Sequence, residues 1–108
     1  MGKIFTSARA SLGTTSSVVY TVPVDTTSII IGCQATNVDV ATQTFSAWWT
    51  DASNANVITR LANVVNIPDA AAYEPIGGRL VLNSGDTFVA EAGANDSIEI
   101  TLSILEMS

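Results

Sequence analysis

The segment near the C-terminus, residues 97–106, alternates between polar and apolar side chains as far as Ile104. Successive side chains of a β-strand point to opposite faces, so this pattern predicts a strand with one buried and one solvated face. The apolar face of such a strand must be covered by a second layer of structure. The segment therefore predicts a layered fold built from β-strands.

Turn signals divide the rest of the chain into further short strands. A weak strand is predicted over residues 3–12, and stronger ones over 17–22, 27–36, 40–50, 79–82, 87–92 and 97–105. Residues 56–67 form either one strand with a bulge around Ala62 or two short strands, and residues 70–74 form an irregular crossover between sheets. About eight short strands with no long helix are typical of an all-β, antiparallel β-sandwich, and we expect a jelly-roll-like arrangement.

The chain has 108 residues, which is the size of one ordinary domain. Residues 17–108 are expected to form a single β-sandwich domain. Residues 1–16 are expected to form an extended N-terminal arm or an edge strand, with Ile4, Thr6, Ala8 and Ala10 on one face. As an arm, this segment would add a strand to the sheet of a neighbouring subunit.

Alternation also assigns faces within the two strands that follow. In residues 17–22 it places Val18, Tyr20 and Val22 together on one face. In residues 27–36 the inward residues are expected to be Ile29, Ile31, Cys33 and Ala35. Cys33 is the only cysteine and lies in the most apolar run of the chain, so we interpret it as a core residue.

Charge is scarce in this sequence. Only 13% of residues are charged, against about 25% in a typical soluble domain, and the net charge is −6. Four scattered cations argue against nucleic-acid binding and against an anionic membrane surface. A surface poor in Lys and Glu suits a protein packed against other subunits, although it also suits a Thr-rich β-protein.

The residue types needed for catalysis are largely missing. The sequence contains no His, which removes the usual general base and every His-based metal site. Most Asp residues lie in turns, where they make local hydrogen bonds. Glu91 and Glu99 could face each other on neighbouring strands and hold a divalent cation, although a solvated face is the simpler interpretation. We therefore expect no enzyme activity, no catalytic residue, no cofactor and no metal.

Trp48 and Trp49 are adjacent, so on a regular strand they must point to opposite faces. Trp49 continues the face of Phe45 and is expected in the core. Trp48 is then either partly covered by its own hairpin or exposed for a partner, since aromatic residues are favoured interface anchors.

Several strand-and-turn signatures resemble those of small virion structural proteins of tailed bacteriophages, cyanophages included. The matching segments are 19–23 (VYTVP), 29–33 (IIIGC), 49–51 (WTD), 66–68 (NIP), 78–86 (GRLVLNSGD) and 103–106 (SILE). The resemblance covers nearly the whole chain from residue 17 and carries no set of functional residues that can be transferred by position.

The resemblance implies a small β-sandwich component of the particle, such as a capsid decoration (cement) protein or a piece of the neck or tail. Of these we expect a decoration protein that binds the major capsid protein on the outer capsid surface, as a homotrimer. It would be assembled into the virion in the bacterial host cytoplasm. The alternatives are a neck, tail or fibre-attachment component, and a carbohydrate- or receptor-binding module that stacks sugars on Trp48 or Tyr73. The interface candidates from the sequence are Trp48, Ile4, Phe5 and Tyr73.

Overall fold

The computed structural model describes residues 2–108, which form two antiparallel β-sheets and no α-helix. The strands are β1 (Lys3–Leu12), β2 (Ser17–Thr21), β3 (Thr27–Asn37), β4 (Gln43–Asp51), β5 (Val57–Ile67), β6 (Ala72–Tyr73), β7 (Leu80–Leu82), β8 (Thr87–Ala92) and β9 (Ile98–Met107). A single 3-10 turn, Ala52–Asn54, follows β4. The predicted all-β sandwich is confirmed.

The strand order identifies the sandwich as a jelly roll. Sheet A has the order β1-β9-β3-β6, with β7 also paired to β3, and sheet B has the order β2-β8-β4-β5. The pairs are nested, because β1 pairs with β9, β2 with β8, β3 with β6 and β7, and β4 with β5. This nesting of antiparallel pairs across two sheets is the jelly-roll arrangement. Strand β1 lies at the edge of sheet A.

The core lies between the inner faces of the two sheets. Strand β9 supplies Ile98, Ile100, Leu102 and Ile104, all fully buried, as its alternation predicts. Sheet B contributes Phe45 and Phe88, which are the largest fully buried side chains. Cys33 is buried in the same cluster, and Trp49 packs against it, as expected.

Two β-bulges change the faces predicted for β2 and β3. The register of β3 against β9 shifts between Ile30 and Gly32, so Ile30 is buried and Ile31 is 42% exposed. The inward assignments of Ile29 and Ile31 are therefore wrong, because the inserted residue reverses their alternation relative to Cys33 and Ala35, which are buried. In β2 a shift between Val18 and Tyr20 leaves Val18 outside and Tyr20 against the core.

The bulge predicted around Ala62 is present, and β5 is one continuous strand. Val64 adopts a left-handed backbone conformation with φ of 52°. Its backbone N–H donates to the Ser46 hydroxyl on β4 at 2.9 Å, which satisfies a group that the bulge removes from the ladder.

Two buried polar side chains form hydrogen bonds to the backbone of the loops at the ends of the sandwich. The Asp86 carboxylate, 1% exposed, accepts from the backbone N–H groups of Ala52 and Asn83, each at 2.9 Å. The Asn37 amide donates to the carbonyls of Ala41 at 2.9 Å and Ile67 at 2.8 Å. The bonds to Ala52 and to Ile67 join segments that are distant in sequence, and the other two are local.

Consecutive strands at the C-terminal end lie in different sheets. Glu91 on β8 pairs with Ser46 in sheet B, whereas Glu99 on β9 pairs with Ser11 in sheet A. The alternative in which the two glutamates face each other is therefore wrong. Within residues 2–108, no helix has the length and apolar character that a membrane crossing requires.

Candidate interaction surfaces

An apolar row crosses the outer face of sheet A. The strand register aligns Phe5 with Leu105, Leu105 with Ile29, and Ile29 with Val81. Paired residues point to the same face of a sheet, so these four side chains form one continuous line. Phe5 is 75% exposed and Val81 is 53% exposed, so both ends of the line meet solvent.

The bulge in β3 adds a fifth apolar side chain to this row. Ile31 is turned outward and joins Phe5, Ile29 and Leu105 around a shallow groove of about 410 Å³. Arg79 forms another wall of the groove. We call the five apolar residues the A patch: Phe5, Ile29, Ile31, Val81 and Leu105.

Three basic side chains lie on the same face of sheet A as the A patch or beside it. Lys3 lies two residues before Phe5 on β1 and pairs with Met107, and Arg9 pairs with Thr101 further along the same strand. Both side chains therefore project from the outer face of sheet A. With Arg79, three of the four cations of the chain lie on or beside this face. Carboxylates lie at this face too: Glu99 is beside Arg9, Glu74 lines a pocket with Ile31, and Asp96 accepts a hydrogen bond from Ser11.

Ile4 and Phe5 are adjacent on β1 and point to opposite faces. The partner of Ile4 on β9 is Glu106, so Ile4 lies on the inner side, at the open end of the sandwich, where it is 60% exposed. Of these two interface candidates, only Phe5 belongs to the A patch.

The outer face of sheet B carries Trp48. The register aligns it with Val89 on β8 and Arg60 on β5, and Val89 is aligned with Val18 on β2. The Arg60 guanidinium lies 4.6 Å from the centre of the Trp48 ring, within the range of a cation–π interaction. Trp48 is half-buried, so its own hairpin covers part of the ring.

Tyr73 is half-buried on β6, and its ring meets Phe45 edge to face with a centroid separation of 6.3 Å. That contact anchors the short strand β6 to the core. The ring of Tyr73 is therefore engaged on the side that faces the interior.

The titratable groups with raised pKa values form no catalytic arrangement. Burial, followed by the charge of Glu74, raises the pKa of the Cys33 thiol to about 12, so the nucleophilic thiolate is suppressed at neutral pH. Burial and a hydrogen bond to Glu106 raise the pKa of Tyr20 to about 12. The Tyr20 hydroxyl also lies 2.7 Å from the Ser28 hydroxyl, and this network links β2 to sheet A.

No metal-binding group was found in residues 2–108, where no three Cys, Asp or Glu side chains converge. Sequence reasoning singled out Phe5 but missed the other residues of the A patch. Ile29 and Ile31 were assigned to the core, and the row exists only because four strands that are not consecutive in the chain are in register.

The chain was compared with known proteins. No protein-family model matches the sequence, and no curated protein matches it. Solved structures do match its fold. A chain of the Bacillus endospore appendages, a family of disulfide-linked pili, has a TM-score of 0.62 and 6% identity, with 99% of this chain and 87% of that chain covered.

Two further matches come from viral particles. A chain of the acidic stable capsid of Helicobacter pylori bacteriophage KHP30 has a TM-score of 0.57 and 17% identity, with 96% of this chain and 86% of that chain covered. A chain of the IBDV T13 viral particle has a TM-score of 0.59 and 6% identity, with 96% of this chain and 30% of that chain covered. At these identities the comparisons establish a shared fold.

Proposed function

We propose that the chain is a non-enzymatic structural protein of a virion, and specifically a capsid decoration protein that reinforces contacts between major capsid subunits. The observation that supports this proposal most strongly is the A patch. Five apolar side chains line up on a sheet face that a solitary domain would leave to solvent, and exposed apolar patches of this kind mark protein interaction sites.

The fold and the chemistry support the same proposal. A jelly roll whose core is closed and whose loop ends are fastened by Asp86 and Asn37 offers a rigid scaffold for contact surfaces. Its fold is shared with chains of two viral particles and of a pilus, all of them repeating assemblies. A homotrimer fits a decoration role because capsid sites have rotational symmetry.

A sugar-stacking role for Trp48 has less support. One face of its ring is occupied by Arg60 at 4.6 Å, and a sugar would have to displace that guanidinium. A glycan array with Trp48→Ala as the control tests this alternative. Glycan binding that disappears in the variant would favour it over a virion role.

The test of the virion role is quantitative mass spectrometry of purified particles of the virus that encodes the chain. A decoration protein is expected in hundreds of copies, as a multiple of the capsid symmetry. About a dozen copies or fewer would assign the chain to the neck or tail instead. Absence from purified particles would refute the virion role.

A further inference from the structure

Charge is distributed unevenly around this molecule. The chain carries four cations and ten carboxylates. Lys3, Arg9 and the groove-lining Arg79 lie on or beside the outer face of sheet A, together with the carboxylates Glu99, Glu74 and Asp96. Three of the four cations therefore lie on or beside one face, whereas most of the ten carboxylates lie elsewhere. The face that holds most of the cations also carries the apolar row.

The two cations nearest the A patch flank it on different sides. Arg79 forms a wall of the groove beside Phe5, and Lys3 lies two residues before Phe5 on the same strand. An apolar centre with charged residues around it is the usual anatomy of a protein interface.

We propose that the A patch docks on a neighbouring virion protein whose surface presents an apolar strip flanked by carboxylates. This inference rests on the virion role proposed above and adds the face that binds and the chemistry of its partner. Phe5 and Val81 fill the apolar strip, and Lys3 and Arg79 pair with the flanking carboxylates. Sheet B then faces away from the partner.

A second copy of this chain fits the patch less well. Two copies packed face to face through the A patch would bring together two faces that each hold three of the four cations of the chain. Like charges placed together in an interface oppose association. Nucleic acid also fits poorly, because phosphate binding needs many cations and gains nothing from a row of five apolar side chains.

The experiment measures binding of purified protein to particles from which the gene for this chain has been deleted. Arg79→Glu and Phe5→Ser are the test variants. Arg60→Glu makes the same charge change on sheet B, and Val18→Ser removes an apolar side chain that is 60% exposed on sheet B. All four sites are at the surface, and circular dichroism of each variant checks that the fold is retained.

Arg79→Glu and Phe5→Ser are each expected to weaken binding by about tenfold or more, since a charge reversal and the loss of an aromatic anchor both act at the interface. Arg60→Glu and Val18→Ser are expected to change it less than about threefold, because rim and distant residues contribute little. Wild-type binding is also expected to weaken as salt rises, because the flanking ion pairs are screened.

Three results would overturn this inference. Weaker binding only in the sheet B variants would assign docking to sheet B, and nuclease-sensitive binding would make the partner a nucleic acid. Dissociation of a wild-type oligomer in solution by Arg79→Glu would make the A patch a self-interface. None of these results bears on the virion role, which is refuted by the absence of the chain from wild-type particles.

Discussion

Asp86 provides the sharpest test of how the ends of this sandwich are held together. Its carboxylate is 1% exposed, and its two oxygens each accept one backbone N–H, from Ala52 and from Asn83. Asp86→Ala removes both acceptors at once. The substitution leaves two donors in a partly buried site, with only limited access to water.

A hydrogen bond to a charged acceptor contributes about 1.5–3 kcal/mol. Ala52 and Asn83 are themselves exposed, so partial hydration of their N–H groups favours the lower value, and the expected loss is about 3 kcal/mol for the pair. At roughly 4 °C per kcal/mol for a domain of this length, the melting temperature should fall by about 12 °C.

The assay is thermal and urea unfolding followed by circular dichroism, with Asp69→Ala as the matched control. Asp69 is an exposed turn residue, and its truncation is expected to change stability by less than about 0.5 kcal/mol. Asp86→Asn retains one acceptor oxygen and should fall between the two. A loss for Asp86→Ala no larger than that for Asp69→Ala would refute the claim that this carboxylate fastens the loops.

Three further predictions concern the core and its titratable groups. The pKa of Tyr20 is raised from 10.0 to about 12, so the unfolded state loses the hydroxyl proton at a lower pH than the folded state. Urea titrations should therefore show that the stability of the wild type falls more between about pH 10 and 12 than the stability of Tyr20→Phe. Parallel pH dependences of the two proteins would contradict this. Cys33, with a pKa near 12, should react with a thiol reagent at pH 8 about 100-fold more slowly in the folded protein than in urea, and comparable rates would show the site to be open. Phe88→Ala should lower the free energy of unfolding by about 3–5 kcal/mol. Val24→Ala, at an 81% exposed position, should lower it by less than about 0.5 kcal/mol. A loss at Phe88 as small as that at Val24 would contradict a close-packed core.

Regular stretches of this fold were predictable from sequence because alternation alone decides them. Ile98 to Ile104 form an uninterrupted strand, and each side chain lies on the face its position predicts. The β5 bulge near Ala62 was also predictable, because the apolar pattern changes phase there. Pairing, in contrast, depends on contacts between residues far apart in the chain.

The errors occurred where one extra residue shifts the phase. Nothing in the run Ile29–Cys33 shows which isoleucine occupies the bulge, since every position in it is apolar or small. The A patch was hidden for the same reason, because the bulge reverses the phase of Ile29 and Ile31 relative to the buried Cys33. The contact between Arg60 and Trp48 likewise required the β4–β5 register.

The most direct test of this interpretation is a cryo-EM reconstruction of the particle at a resolution that shows side chains. We expect density for this jelly roll at symmetry-related positions, with Phe5, Val81 and Arg79 buried against an acidic, apolar surface of a neighbouring protein. Trp48 and the outer face of sheet B should point away from that contact. A particle without this density, or one in which the outer face of sheet A is open to solvent, would contradict it.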